Sequence, residues 1–288
     1  MIVVRLIGGL GNQMFQYAAA RALAIKKNTE LLIDTTSFQT YHLHKYGLHH
    51  FSLQVQDVPS YLIPDLGRLS LIDRIFKRLR GHTPLTVIKE KTFNFDPNVF
   101  FQQGNIYLCG YWQSEKYFSD ITDIIRTDFQ IQTPPTLENR HWLDRICSSL
   151  AVSLHVRRGD YVTEVSANQF HGICTPAYYK KAMDVMASSL NASPTFFVFS
   201  DDPSWVQQNL DFGSHQHTFV TDNNADKNYE DLRLMSTCQH HIIANSTFSW
   251  WGAWLNPYSK KKVIAPRRWF ATENISPNDL IPESWQML

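Results

Sequence analysis

Residues 151–161 read AVSLHVRRGDY, a mostly apolar run that ends in two arginines, a glycine and an acid. Such a run is typical of a parallel strand that is buried on both faces. Seven other segments resemble it, and helical patterns separate them, so the chain predicts βαβ units and an α/β fold. The predicted strands are Ile2–Ile7, Leu31–Asp34, Ile106–Gly110, Ala151–Val156, Thr195–Phe199, His217–Val220, His241–Ala244 and Val263–Ala265.

The length and the charge balance set the broad class. The chain has 288 residues, with 27 Lys and Arg against 26 Asp and Glu, so its net charge of +1 argues against a nucleic-acid partner. At about 150 residues per domain, the length predicts two lobes. A TPP sequence at residues 133–135, followed by a predicted helix at about 138–150, places the boundary. We therefore expect two Rossmann-like lobes, residues 1–137 and 138–288, facing across a cleft.

The sequence predicts a cytoplasmic protein. No apolar stretch reaches the 18 or so residues that a membrane span needs. The apolar start of the chain is broken by Arg5 and is best explained as a first strand. Lys260–Lys262 predicts a solvated turn, and its weak attraction to lipid leaves peripheral association with the inner face of a membrane open.

A glycine-rich turn, GGLGNQ at residues 8–13, joins the first strand to the first helix. As a dinucleotide fingerprint it fails, because Met14 stands where the third glycine would be. A tight turn with no ligand explains the glycines equally well. Asn12 and Gln13 favour a binding role, since polar amides at such a turn point into the crevice of an α/β fold.

Arg157 and Arg158 follow the strand that ends at Val156. Placing two adjacent guanidinium groups at a strand end costs free energy unless an anion binds them. The planar fork of arginine suits the oxygens of a phosphate. The alternative is an internal salt bridge from one arginine to Asp160.

Asp201 and Asp202 follow the strand Thr195–Phe199, at the edge where α/β proteins bind ligands. These carboxylates could accept hydrogen bonds from a guanine edge or from ribose hydroxyls. Capping of a helix that begins at Pro203 is the structural alternative. A metal site is the third, although no D-x-D triplet is present.

The most specific segment is NSTFSWWGAWL at residues 245–255. It follows a strand and begins a helix, so its free N–H groups and hydroxyls can cradle a phosphate without a lysine. The three tryptophans predict helix packing.

Together, GGLGNQMFQYA, HVRRGDY, FSDD and NSTFSWWGAWL, in this order and spacing, resemble the bacterial α-1,2-fucosyltransferases of glycosyltransferase family 11. The resemblance spans about residues 2–255. It implies a GT-B-like fold, GDP-L-fucose as donor, a galactoside glycan as acceptor, inversion at the fucose anomeric carbon, and neither a metal nor another cofactor.

Carried over residue by residue, the resemblance assigns catalysis to His155, Arg157, Arg158 and Asp160. It implies a donor site made of Asn12, Arg158, Asp201, Asp202, Asn245, Ser246, Thr247 and Phe248. Gln13, Glu164 and His171 are the candidates for acceptor binding, and Glu164 and His171 are also alternatives to Asp160 as general base. The N-terminal lobe would then hold the acceptor and the C-terminal lobe GDP-fucose.

Two other functions fit parts of the pattern. One is a nucleotide-sugar-binding protein without catalysis, against which the arginine pair and the neighbouring carboxylates argue. The other is an NAD-type oxidoreductase, against which the failed glycine fingerprint argues.

Overall fold

The computed structural model describes residues 1–40, 43–64, 85–159, 172–272 and 275–288. It divides into two compact units, Met1–Gln130 and Ile131–Leu288. The division lies seven residues before the predicted boundary, and the helix expected at about 138–150 belongs to the second unit in both cases. The ligand roles expected for the two lobes stay predictions.

Within the described part, unit 1 contains a five-stranded sheet in the order β3-β2-β1-β5-β4, and all its pairings are parallel. Buried β1 and β5 lie at its centre. The elements are β1 (Ile2–Arg5), α1 (Leu10–Lys26), β2 (Leu31–Asp34), β3 (Gln56–Asp57), β4 (Thr86–Lys89), β5 (Ile106–Cys109) and α2 (Thr122–Asp128). Short 3-10 turns cover Thr36–Gln39, Leu48–His50, Ser60–Leu62, Pro97–Phe101, Glu115–Tyr117 and Ser119–Ile121.

The turn between β1 and α1 requires a glycine. Gly8 has a φ of +84°, a conformation that L side chains rarely adopt, and a Cβ there would lie 2.7 Å from Nδ2 of Asn12. Beyond the turn, α1 is buried along most of its length. The Tyr17 hydroxyl donates to Asp128 at 2.8 Å, and Arg21 Nε donates to the same carboxylate at 3.0 Å, which fastens α1 to the end of α2.

Unit 2 contains, in its described part, a six-stranded parallel sheet in the order β11-β10-β9-β6-β7-β8. Helices separate most of the strands, and apolar residues of β6 and β7 contribute to both buried clusters of the unit. The elements are α3 (Leu137–Cys147), β6 (Ala151–Val156), α4 (Pro176–Leu190), β7 (Thr195–Ser200), α5 (Pro203–Asn209), β8 (Gln216–Phe219), a 3-10 turn (Ala225–Lys227), α6 (Asn228–Thr237), β9 (His240–Ile242), α7 (Thr247–Leu255), β10 (Val263–Ala265) and β11 (Gln286–Met287).

The predicted fold class is confirmed: both units are parallel α/β structures of the GT-B-like kind. All eight predicted strands are present, within one or two residues at their ends. Three short strands were not predicted, namely β3, β4 and β11. Each lies at an edge of its sheet and lacks the fully buried apolar run that marks the central strands.

The tryptophans of α7 pack as predicted. Trp250 and Trp251 are fully buried, Trp254 is nearly so, and their rings contact one another at 5.0–6.1 Å between centroids. Among the helices that the structure describes, none combines the length and apolar character that crossing a bilayer requires.

Candidate active site

The carboxyl edge of the unit 2 sheet brings three of the four sequence motifs together. From β6 the chain continues to β7 and β8 on one side and then returns to β9 and β10 on the other. The strand order therefore reverses between β6 and β9, and open α/β sheets bind ligands at such a switch point. Arg157 follows β6, and Ser246 follows β9.

Both arginines pair with the two acids that follow β7. Arg157 Nη1 lies 2.9 Å from Asp201 Oδ2, and Arg158 Nε lies 3.3 Å from Asp202 Oδ2. The backbone N–H of Arg158 also donates to Asp201 Oδ1 at 2.8 Å. The register explains this pairing: Val156 lies opposite Ser200, so the next residues of both strands continue side by side.

Gly159 allows the close approach of Asp201. A Cβ at position 159 would lie 2.5 Å from Asp201 Oδ2, a distance that real Cβ atoms essentially never show. Any side chain there must displace the carboxylate that holds Arg157 and the Arg158 amide. The glycine is therefore part of the geometry of the arginine pair.

Arg158 is held by two side chains, Asp202 and Trp205. Its guanidinium lies over the ring of Trp205, 3.7 Å from the centroid, and its side chain is 14% exposed. Its Nε is used by Asp202, while its terminal nitrogens have no protein partner among the described residues. These nitrogens are the donors that can meet a phosphate group.

Asp202 also caps a helix. Its Oδ1 accepts from Trp205 N at 3.1 Å, at the start of α5, while its Oδ2 pairs with Arg158. The capping expected for one of the two acids is thus confirmed at Asp202. Both carboxylates are bound to the arginines. The carboxylate that accepts the predicted hydrogen bond from guanine or ribose must therefore do so while it also contacts an arginine.

His155 is buried within β6, and its ring lies 5.8 Å from that of Phe248. Its Nδ1 has no partner among the described residues. Burial, and next the positive charge of Arg157, lower the pKa of His155 to about 3. A base this weak transfers protons poorly near neutral pH, so we do not propose His155 as the general base.

We expect this histidine to make the protein acid-sensitive. In the unfolded chain this histidine has a pKa near 6.5, whereas in the folded protein its pKa is about 3. Between these two pH values the unfolded chain binds a proton that the folded protein does not bind, and this favours unfolding. The contribution of neutral His155 to the free energy of unfolding is therefore present above about pH 6.5. Between pH 7 and pH 5 the free energy of unfolding falls by about 2 kcal/mol because of this residue alone. Chemical denaturation of a His155→Gln variant should show a smaller loss than the parent. A matched variant of the exposed His141 should lose as much as the parent, and an equal loss in His155→Gln would contradict the assignment.

The segment after β9 forms the start of α7. The Ser246 hydroxyl accepts from Phe248 N at 3.3 Å and caps the helix. Asn245 is buried, and its Nδ2 donates to the carbonyls of Gly172 and Trp269 at 3.3 and 3.2 Å. Asn245 therefore fastens two loops beside the helix, whereas Ser246 and Thr247 begin the N-terminal turn that the sequence predicts for phosphate binding.

Unit 1 holds the two amides of the glycine turn. Asn12 Oδ1 accepts from Gln113 Nε2 at 2.9 Å. Gln13 is fully buried, donates to the carbonyls of Gly8 and Lys45, and accepts from Gly47 N. The role in binding the acceptor glycan that was expected for Gln13 is not supported, because its amide makes hydrogen bonds that hold the turn to the 45–47 segment.

Three predicted residues, Asp160, Glu164 and His171, lie outside the described residues. Within the described part of the chain, no three His, Cys, Asp or Glu side chains are grouped so as to hold a metal ion. Sequence reasoning missed Trp205. The available signal was an aromatic residue three positions after a capping acid, in the first turn of a helix at the carboxyl edge.

Comparison with known proteins identifies the family. The profile described as Glycosyl transferase family 11 matches residues 88–288. An Escherichia coli alpha-1,2-colitosyltransferase is 34% identical, over 99% of this chain and 98% of that protein. Galactoside alpha-(1,2)-fucosyltransferase 1 of Alouatta caraya is 26% identical, over 86% of this chain and 63% of that protein.

The fold also matches a solved structure. A variant of Arabidopsis thaliana FUT1 in complex with GDP superimposes with a TM-score of 0.53 at 11% identity, over 99% of this chain and 75% of that one. At this identity the likeness concerns the fold alone. Because the family profile covers well over half of the sequence, and a relative above 30% identity spans nearly all of it, the chain belongs to glycosyltransferase family 11 and is a glycosyltransferase.

Proposed function

We propose that the protein is an inverting α-1,2-fucosyltransferase, which moves L-fucose from GDP-L-fucose to the 2-hydroxyl of a terminal galactoside during glycan or surface polysaccharide synthesis. The observation that carries the proposal is the Arg158 guanidinium, held by Asp202 and Trp205 with its terminal nitrogens directed to no protein group that the structure describes. Such a fixed donor at the switch point suits a diphosphate leaving group.

The reaction requires stabilisation of the leaving group. As the bond between fucose and GDP breaks, negative charge grows on the diphosphate while the sugar becomes oxocarbenium-like. Arg158, with the N–H groups at the start of α7, would stabilise that charge. The N–H groups belong to the turn at Ser246–Phe248. Because the arginine is preorganised by its two neighbours, little reorganisation is needed during the reaction.

The acceptor hydroxyl must lose a proton as it attacks the anomeric carbon. With His155 buried and weakly basic, the candidates that remain proposed are Asp160, Glu164 and His171. Asp160 follows Gly159 directly and is therefore on the chain segment that carries the arginine pair.

Colitose is the second candidate for the transferred sugar, because the relative that is 34% identical over 99% of the chain is named a colitosyltransferase. Colitose is fucose without its 3-hydroxyl. A site built to hydrogen-bond that hydroxyl rejects the deoxy sugar strongly, whereas a site without such a contact accepts both. Both candidates share the GDP group and the α-1,2 linkage.

The deciding experiment measures kcat/KM for GDP-fucose, GDP-colitose and GDP-mannose with lactose as acceptor. We expect GDP-fucose to be used best and GDP-mannose to be inert. A higher kcat/KM for GDP-colitose would assign the protein to colitosyl transfer. Binding of GDP without turnover of any donor would instead indicate a catalytically silent binding protein.

Trp205 should act as a positioning residue for Arg158. Trp205→Ala removes the ring beneath the guanidinium and should lower kcat/KM for GDP-fucose by about tenfold, in line with the strength of a partly buried cation–π contact. Trp205→Phe keeps a ring and should retain most of the activity. Trp142, which carries Arg145 over its ring at 4.6 Å, offers a matched control through Trp142→Ala. Unchanged kinetics in a folded Trp205→Ala variant would disprove this role.

Transfer should not require a divalent metal. Fixed cations at the diphosphate perform the charge neutralisation that Mg²⁺ or Mn²⁺ performs in metal-dependent enzymes. Activity measured after dialysis against EDTA should equal that of the untreated protein. Loss of turnover that Mg²⁺ or Mn²⁺ restores would mean that Asp201 and Asp202 serve as metal ligands.

A further inference from the structure

Unit 1 carries a guanidinium that is held in the same way as that of Arg158. Arg5 is the last residue of β1, the central strand of its sheet, and it is half-buried. Its Nε donates to the hydroxyl of buried Ser37 at 2.8 Å. The terminal nitrogens of Arg5 have no partner among the residues that the structure describes. They therefore offer N–H donors in a fixed plane at the carboxyl edge of the sheet, where α/β proteins bind ligands.

The acid beside Arg5 is bound to other groups. Asp34 lies opposite Arg5 in the register of β1 and β2. Its carboxylate accepts from the Tyr107 hydroxyl at 2.5 Å and from N and Oγ1 of Thr36 at 2.9 and 2.6 Å. Within the described part of the chain, Arg5 forms no ion pair with this or another carboxylate. Because the charge of Asp34 offsets that of Arg5, a neutral acceptor of hydrogen bonds suits the position better than an anion does.

The Tyr111 side chain lies close to Arg5. Val4 pairs with Leu108 in the register of β1 and β5, so Arg5 and the residues that follow β5 lie at the same edge of the sheet. Burial, and next the negative charge of Glu90, raise the pKa of Tyr111, while the positive charge of Arg5 lowers it. Tyr111 is half-buried, and its hydroxyl has no hydrogen-bond partner among the described residues. Arg5 and Tyr111 therefore present polar groups near each other that a ligand can reach.

Tyr111 is fixed through its backbone and its ring. Glu90 Oε2 accepts from Tyr111 N at 2.7 Å, and Glu90 Oε1 accepts from Trp112 N at 2.9 Å. A Cβ at Gly110 would lie 2.3 Å from the Cβ of Glu90, so only glycine permits this approach. The Tyr111 ring lies nearly parallel to that of Phe93, with 6.2 Å between centroids and 14° between planes. The position of the phenol is therefore set before a ligand binds, which lowers the entropy cost of binding.

We propose that Arg5 and Tyr111 bind one pyranose ring of the acceptor glycan. The planar fork of Arg5 would donate to the hydroxyls of two adjacent ring carbons, and the Tyr111 hydroxyl would bind a third oxygen. The identity of the ligand as the acceptor rests on the proposed function. Ser37 and Glu90 are positioning residues, because they hold the Arg5 guanidinium and the Tyr111 backbone and are not required to touch the sugar.

The test uses two variants with matched controls. Arg5→Lys keeps the charge and removes the fork, and its control is Arg140→Lys, since exposed Arg140 also donates through Nε, to the carbonyl of Pro135. Tyr111→Phe removes one hydroxyl and keeps the ring, and its control is Tyr61→Phe at a residue that is 56% exposed. For each protein we would measure the KM for lactose at saturating GDP-fucose, saturation-transfer NMR contacts with lactose in the absence of donor, the Kd of GDP, and the melting temperature.

We expect the KM for lactose to rise about tenfold in Arg5→Lys and about fivefold in Tyr111→Phe, because hydrogen bonds from a charged donor are the stronger ones. The Kd of GDP should stay the same, and both controls should match the parent. An unchanged KM and unchanged NMR contacts in a folded Tyr111→Phe variant would overturn the site while leaving fucosyl transfer intact, and so would a weakened Kd of GDP in either variant. If the parent transfers no fucose but binds lactose, and both variants weaken that binding, the proposed function fails and the sugar site stands.

Discussion

Arg158→Ala is expected to lower kcat for sugar transfer by about 10²–10³-fold in a protein that remains folded. The guanidinium is the fixed donor that the structure leaves available to a diphosphate. Its removal therefore leaves the negative charge on the leaving group less stabilised. The fold should survive because the Asp202 side chain is 40% exposed and stays solvated without its partner. Steady-state kinetics with GDP-fucose and a melting curve of the same preparation check both halves of the prediction.

Arg158→Lys sharpens this test. Lysine keeps the charge but loses the planar fork and the stacking on Trp205, so we expect it to restore little activity. Arg145→Ala is the matched control, since Arg145 also lies over a tryptophan ring but is not part of the arginine pair. Near-normal kcat/KM in folded Arg158→Ala would remove Arg158 from the mechanism.

Gly159→Ala should lower kcat by about 100-fold. The new Cβ would occupy a position 2.5 Å from Asp201 Oδ2, so the carboxylate and both groups bound to it, the Arg157 guanidinium and the Arg158 amide, must shift. A displacement of about 1 Å at reacting groups costs a factor of this size. The measurement is kcat with saturating donor, alongside the Kd of GDP.

Gly213→Ala provides the comparison for this variant. Gly213 has a φ of +54° with no atom within 4 Å of its Cβ position among the described residues, so alanine there strains the backbone without any steric contact. We expect Gly213→Ala to lose stability and keep its kcat. If Gly159→Ala keeps its kcat as well, the close approach of Asp201 has no part in catalysis.

The sequence was sufficient to predict the class of fold and the edge at which unit 2 carries its polar residues. Central strands such as Ala151–Val156 were identified because burial on both faces leaves a continuous apolar run. The pairing of Arg158 with Asp202 was not predicted. It depends on β6 lying beside β7 in a register that sets Val156 opposite Ser200, and strand neighbours cannot be read from local composition.

Gln13 shows a second limit. An amide at a glycine-rich turn can face a ligand or fold back onto the backbone, and the residue types are the same in both cases. Three backbone groups, at Gly8, Lys45 and Gly47, decide the outcome, and two of them come from a segment more than 30 residues away. The hydrogen bond from the backbone N–H of Trp112 to the Glu90 carboxylate was not predicted for a similar reason, since it requires β4 and β5 to be neighbours.

Inverting α-1,2-fucosyl transfer can be tested directly by NMR analysis of the product formed from GDP-β-L-fucose and lactose without added metal. We expect a single product in which fucose is α-linked to the 2-hydroxyl of galactose, since displacement at the anomeric carbon inverts the donor configuration. We also expect Arg158→Ala to form this product at least 100-fold more slowly. A β-linked product, a different linkage position, or no transfer of fucose by the folded parent protein would contradict it.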